Sequence, residues 1–536
     1  MPLNVKAKAL HLPIFLDKRH EYIPVLSAQS QRSDNRYIGN MEMISLKRTN
    51  RWLSLIIFAV LFGVLILFRT GVLHRAPTEK KPAEFSSNKN FQDRNSWMNI
   101  FQNHRKIGFS HTRYVKIDSG YQFDETVFMK INTMGMIQDL GLKTRGRLNA
   151  DFSLAEFVFK VSSGRFSFSA QGTISGNRLT LVIDSTGTRQ ETQLALADRI
   201  YMPSGMLQAA VSGDLTPGNR MAVRVFDPIA MGQETIHLEV LDQEEIHIMG
   251  QPRTATKLSL KYKGATQLAW VDAQGDILKE QGMLGITLEK TTREEALDSI
   301  SVQPSQDLTR LASIPSNIEI PDPAALQVLK AEIGGIQDPA HQLNGGRQTY
   351  QAPVLLIQKE KIRGNMISQG TPIPVKGMDM FLKPEPLIQS DDKAILKLAQ
   401  DITADANNDL EAIQRIVSWI QENIQKRPVL SMPDALAVLE NRMGDCNEHA
   451  VLFAALARAS GIPTKLEAGV VYLKGRFYYH AWNAVYIGRW ITVDALFNQI
   501  PADVTHIRIT SGAPKDQLDI LGLIGTLKIH IMDGTH

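Results

Sequence analysis

The chain has 536 residues and a single cysteine, Cys446. One cysteine excludes an internal disulfide, a cysteine-rich zinc site and an iron–sulfur cluster. The histidines show no metal-ligand spacing. No phosphate-binding loop and no dinucleotide fingerprint occurs. Asp405, Asn407 and Asp409 imitate the start of a calcium loop, but Leu410 replaces the required glycine and Ile416 the final glutamate. Neither an internal repeat nor a low-complexity tract is present. Charge of one sign is also scarce, with 59 Lys+Arg against 55 Asp+Glu. Residues 1–51 hold nine of the basic side chains and four of the acidic ones, leaving 50 basic against 51 acidic in the remainder. A nucleic-acid binder normally carries a basic surplus in its folded body. No such surplus exists here, so no nucleic-acid partner is expected.

What is present begins with one long apolar run. Residues 52–68 read WLSLIIFAVLFGVLILF, bracketed by Arg51 and Arg69, and Val72-Leu73 extend it. At 1.5 Å rise this nearly crosses a hydrocarbon core of about 30 Å. A cleaved signal peptide has a shorter apolar core and a small-residue cleavage site, so we expect a signal anchor. Basic residues are nearly balanced across it, three before (Lys47, Arg48, Arg51) and four after (Arg69, Arg75, Lys80, Lys81). The basic tail favours the cytosol, and a long downstream domain translocates largely regardless of charge. This predicts an N-in, single-pass protein of the cell inner membrane with its body in the periplasm. Met41 or Met43 would serve as an alternative start.

Beyond the anchor, residues 74–95 are polar and contain Pro77 and Pro82, as a stalk would. From Trp97 to about Lys290 the pattern alternates. Phe157, Phe159 and Val161 recur at every second position, as do Phe166, Phe168 and Ala170, with Ser-Gly and Gly-Asn pairs between runs. This predicts successive antiparallel hairpins. No catalytic constellation appears there, and its ligand is not readable. Residues 303–325 carry Pro304, Pro315, Pro321 and Pro323 and read as linker. Val354–Ile357 reads as a strand, and four prolines between Pro372 and Pro386 suggest a connector.

At Asp391 the pattern turns helical. Ile413, Ile416, Val417, Ile420 and Ile424 share one helical face. A shorter helix is expected over Pro433–Glu440. Residues 443–463 read MGDCNEHAVLFAALARASGIP. Gly444-Asp445 starts a helix and Gly461 and Pro463 end it, placing Cys446 at its N-terminus. There the unpaired N–H groups favour a thiolate and can donate to an oxyanion. Residues 478–494 read YYHAWNAVYIGRWITVD, two strands around a turn at Gly488-Arg489. His480 lies on the first strand and Asp494 ends the second. A two-residue turn would set Asn483 against Asp494 and point His480 away. A three-residue turn or a bulge returns His480 and Asp494 to one face, and is therefore expected. Cysteine, histidine and acid then supply nucleophile, base and the group that orients the base. His449, three residues along the same helix, is the alternative base, but it reads better as a structural hydrogen-bonder. Trp482 and Trp490 read as core or cleft-wall aromatics.

The segments GDCNEHAVLFAALARASGIP, YYHAWNAV and RWITVDALFNQ resemble the transglutaminase-like superfamily of bacterial cysteine enzymes. The resemblance covers roughly residues 390–525. It implies a papain-like core with a triad of Cys446 as nucleophile, His480 as base and Asp494 as its partner. Two positions depart from the pattern: Ala484 stands where relatives often have glutamate, and Asp494-Ala495-Leu496 replaces Asp-Pro-Thr or Asp-Ala-Thr.

The expected architecture is α+β. A cytosolic N-terminal tail (1–51) precedes the transmembrane signal anchor (52–73) and the stalk (74–95). A β-rich antiparallel domain of unknown ligand (96–300) follows, then a Pro-containing linker and β connector (301–388), then the transglutaminase-like catalytic domain (389–536). The expected activity is acyl transfer on amide bonds of a protein or peptide substrate through a thioester, as peptidase, deamidase or cross-linking enzyme. No cofactor is required. The alternative is a catalytically silent interaction module with a protein partner in an envelope assembly.

Overall fold

The computed structural model describes residues 92–535, except 186–187, 212, 214, 299–305, 337–340, 363–376 and 513–519. The tail, the anchor at 52–73 and nearly all of the stalk lie outside the described residues. Among the described residues no helix is long and apolar enough to cross a membrane.

The expected hairpins are present. Leu154–Ser163, Phe166–Ser175 and Arg178–Ser185 are antiparallel neighbours joined by two-residue turns at Gly164-Arg165 and Gly176-Asn177. Both glycines have positive φ, +56° and +59°, as such turns require. Along these strands Phe157, Phe159, Val161, Phe168, Ala170, Leu181 and Ile183 point into the core, while intervening residues are more exposed.

The sheet runs to fourteen antiparallel strands between Arg94 and Thr291, and its edges are Thr188–Ala195 and Arg220–Asp227. Phe157 and Phe226 stand ten strand positions apart, roughly 48 Å in a flat sheet at about 4.8 Å per strand. Their rings are instead 5.2 Å apart. The sheet therefore curls on itself, as sheets of this size do. It encloses the helix Pro203–Val211, whose Met206, Leu207, Ala209 and Ala210 are buried in the same core as the sheet. Phe157 lies against Gly172 on the neighbouring strand, where a Cβ would sit 2.0 Å from its ring.

The C-terminal region has a central helix, Cys446–Ala459, buried all round. Small side chains at Ala450, Ala454, Ala455 and Ala457 let it approach its neighbours closely. Against it pack the helices Lys393–Thr403, Asp409–Asn423 and Ala435–Asn441. The predicted stripe Ile413, Ile416, Val417 and Ile420 faces this core, and Asn408 caps its helix. Asp434 caps the short helix, which therefore starts two residues later than expected. A five-stranded sheet covers another face, in the order Ile314–Pro315, Arg476–Tyr486, Thr464–Leu473 and Ile507–Gly512, with Trp490–Val493 also paired to Arg476–Tyr486.

Residues 314–336 and 341–358, read above as linker and connector, are built into this region. Val328–Gly334, Gln348–Gln351 and Val354–Gln358 form a second sheet with the last strand, Lys528–Thr535. Leu329, Leu355 and Ile529 share one buried cluster with Val470, Phe477 and Ile507 of the five-stranded sheet. Val354–Gln358 is the strand expected there, whereas Val328–Gly334, with alternately buried Leu329, Ala331 and Ile333, also pairs with a strand about 200 residues away, a partner invisible locally.

Candidate active site

Asp445 caps the central helix, accepting from Asn447 N at 3.0 Å, while Glu448 Oε2 accepts from Asp445 N at 3.0 Å in a capping box. Gly444 permits this, since a Cβ there would lie 2.2 Å from that of Glu448. Ser431 Oγ donates to Glu448 at 2.7 Å. Burial, followed by the Asp445 carboxylate, holds the Glu448 carboxyl well above its ordinary range. Cys446, the first residue of the helix, is half-buried. Its backbone N–H is free of acceptors among the described residues, so it remains a candidate oxyanion donor.

The thiolate expected from the helix terminus is not favoured. Burial pushes the Cys446 thiol well up, and the Asp445 carboxylate adds to this. A hydrogen bond from the Ala481 N–H acts the other way but is outweighed. Desolvation of a small, enclosed sulfur exceeds the half-charge of a helix end. The same Ala481 contact sets Cys446 beside His480 in one cleft, which both residues line.

The hairpin carries the odd loop. Asn483 pairs with Val493 and Tyr486 with Trp490, leaving Ile487-Gly488-Arg489 as a three-residue turn. That register places His480 and Asp494 on one face. His480 Nε2 donates to Asp494 Oδ2 at 2.6 Å, and both groups are buried. Nδ1 is then the imidazole nitrogen left for a thiol proton. Phe497 stacks on the His480 ring at 5.0 Å and 18°. The other Asp494 oxygen accepts from Leu496 N at 2.7 Å and Phe497 N at 2.9 Å.

A second histidine, His506, which no motif in the sequence singles out, joins the pair. Its Nε2 lies 2.9 Å from the same Asp494 Oδ2, and its Nδ1 lies 3.3 Å from Asp503 Oδ1. The only sequence signal was the Asp503-x-x-His506 spacing. Burial opposes charge on Asp494, but His480 and His506 hold its carboxyl far below the usual range. Burial likewise opposes a charged His506, yet its hydrogen bonds to Asp494 and Asp503 raise it. The loop carrying these groups is tightly held. Gln499 Nε2 donates to Asp503 at 3.0 Å, Thr505 Oγ1 donates to Asp503 at 2.6 Å, and the buried Arg347 donates to the Asp503 and His506 carbonyls at 2.9 and 3.1 Å. Gln421 donates to the Ala495 and Leu496 carbonyls.

His480, Asp494 and His506 are also the set, among the described residues, whose ligand atoms cluster closely enough for a metal. Both imidazoles spend Nε2 on one carboxylate oxygen, so hydrogen bonds already account for the cluster. His449, the alternative base, is buried within the first turn of the helix. Its Nδ1 bonds the Asp445 carbonyl at 2.7 Å, and burial lowers its proton affinity. Trp482 is buried and donates to Glu467 at 3.0 Å.

Residues 396–495, which include Cys446, His480 and Asp494, match the family described as the transglutaminase-like superfamily. The C-terminal region is transglutaminase-like. Kyphoscoliosis peptidase of Mus musculus is 29% identical over 134 residues, 21% of this chain and 20% of that protein. The chain thus spans about a fifth of the length of that curated relative. Among solved structures, a putative cysteine protease from Cytophaga hutchinsonii matches over 38% of this chain and 82% of that one, at 19% identity and a TM-score of 0.26. A beta-barrel-like protein of a domain of unknown function from Brucella abortus matches over 37% of this chain and 95% of that one, at 8% identity and a TM-score of 0.30. His506 lies beyond the matched segment of the transglutaminase-like core.

Proposed function

We propose that this chain is a thiol enzyme with a papain-like core, acting by acyl transfer on amide bonds of a protein or peptide substrate. Residues 52–73 anchor it in the inner membrane and the body works in the periplasm. The observation that carries the reading is the buried 2.6 Å contact of His480 Nε2 with Asp494, in a cleft that also holds Cys446. The contact uses Nε2 and leaves Nδ1 as the ring nitrogen available to take the thiol proton.

At rest the sulfur is a thiol, because burial disfavours the thiolate. As the sulfur attacks the amide carbonyl, its proton passes to His480 Nδ1 and a C–S bond forms. The Cys446 N–H receives the oxyanion. His480 then gives the proton to the leaving nitrogen as the C–N bond breaks. Water or an amine next attacks the thioester, giving up a proton to His480, and that proton returns to the departing sulfur. Asp494 stays ionised throughout and stabilises the transient imidazolium. Water as acceptor makes a peptidase or deamidase; a lysine amine makes a cross-link.

Iodoacetamide tests this. Wild type should be alkylated at Cys446 quickly near neutral pH, and His480→Ala should slow at least tenfold. The thiol's raised proton affinity favours the second reading, a silent interaction module. Equal, slow labelling of both proteins would establish that reading instead.

A further inference from the structure

The cleft in front of Cys446 is not made by the transglutaminase-like core alone. It has a volume of about 680 Å³, the size of a ligand site. The core supplies the floor at Cys446 and His480 and one side at Met432, and the segment leading into it supplies Leu387. The facing wall comes from the curled sheet, through Leu194, Ile229 and Met231. This is a packed junction, since Leu387 and Met432 belong to the same buried cluster as the sheet's own core.

The wall is apolar and built. Ile229 is 45% exposed, a large apolar side chain left open beside the candidate nucleophile. Asp227 Oδ1 accepts from Ile229 N at 2.8 Å and from Ala230 N at 3.2 Å, holding the turn that presents it. Met231 closes that turn at φ +51°, a conformation unfavourable for a side chain of its type. Among the described residues Glu385 is the one acid lining the cleft, and Arg458 already pairs with it at 2.8 Å. Apolar surface also continues past the cleft, because Ile229 lines the neighbouring cavity inside the sheet, about 530 Å³.

We propose that Ile229 and Met231 of the antiparallel domain are specificity-determining residues, selecting a peptide amide whose acyl side carries a large apolar side chain. The proposal rests on Cys446 being the nucleophile of this cleft. Ile229, Met231 and Cys446 line one cleft, so a substrate held at the sulfur can extend over Ile229 and Met231, where an unpaired charge would lose its hydration without a partner. Burying one large apolar side chain is worth about tenfold to a hundredfold in discrimination.

The test uses the full chain and two chloromethyl ketones, of N-acetyl-leucine and of N-acetyl-glycine. Each forms a C–S bond at Cys446 with loss of chloride, the thiol proton leaving through His480. Intact mass gives the two alkylation rates. The Leu/Gly rate ratio should be at least ten in wild type. It should fall at least fivefold in Ile229→Glu and in Met231→Glu, and persist in Ile229→Leu. A ratio near one in wild type, needing no variant, overturns the inference, as does a ratio unchanged in both glutamate variants. Labelling that ignores His480→Ala but keeps a high ratio overturns the catalytic reading and upholds the apolar wall.

Discussion

Replacing Asp494 by asparagine isolates what the buried carboxylate does. Its two oxygens accept four hydrogen bonds, from His480, His506, Leu496 N and Phe497 N. An asparagine keeps one acceptor and gains an NH₂. Wherever that NH₂ points, it meets two N–H donors: two imidazoles or two backbone amides. The smallest adjustment turns the histidines over to the other tautomer, because backbone amides cannot change roles. His480 would then carry its proton on Nδ1, the nitrogen that has to accept the thiol proton. The pair loses its base. In a serine-protease triad the equivalent change lowers turnover about 10⁴-fold; here we expect Cys446 alkylation by iodoacetamide at pH 7 to slow at least a hundredfold. Losing about two charge-assisted hydrogen bonds costs roughly 3 kcal/mol, against a total stability of about 5–15 kcal/mol, so the variant should remain folded. Urea unfolding followed by circular dichroism measures that cost and certifies the fold in the labelling assay. The sign with pH is definite. Asp494 is held below the usual carboxylate range, so its contribution is complete above about pH 4 and fades as pH falls through its lower folded value. The stability gap between wild type and variant should therefore narrow in acid. Labelling within threefold of wild type, in a folded variant, would refute the reasoning.

Three further outcomes follow from the same geometry. His506 is raised by Asp494 and Asp503 against burial, so its contribution is complete below about pH 6.5 and is lost as pH rises through the higher folded value. His506→Gln should lack that alkaline decline in a series of melting temperatures from pH 6 to 9. Gly444→Ala puts a Cβ 2.2 Å from Glu448 Cβ and should break the capping box, lowering stability by about 1–2 kcal/mol in urea. Because burial holds the Cys446 thiol above the ordinary range, labelling of His480→Ala should still be rising at pH 9.5; a plateau near pH 8 would contradict it.

The C-terminal region was largely legible because its signals are local. A 3.6-residue stripe placed the helix Asp409–Asn423, Gly-Asp and Gly-Ile-Pro bounded the Cys446 helix, and strand parity called for a three-residue turn or a bulge, of which the turn Ile487–Arg489 is present. The ionisation state of Cys446 was misjudged, because a helix terminus is visible in sequence and desolvation by distant residues is not. His506 was missed for a related reason: nothing local says that it shares an oxygen with Asp494, twelve residues earlier.

Sequence alone determined the elements and the chemistry available to them. Alternation over Phe157, Phe159 and Val161 makes a half-buried strand wherever it folds, and a lone cysteine after Gly-Asp begins a helix. Periodicity and caps act over a few residues, within reach of the eye. Tertiary structure decided everything that depends on closure. It curled fourteen strands until Phe157 met Phe226 and paired Val328–Gly334 with the last strand. It also set Ile229 and Met231 across the cleft from Cys446, more than 200 residues away. These pairings are settled by the burial of apolar surface summed over the whole chain, a quantity that no short window of sequence contains.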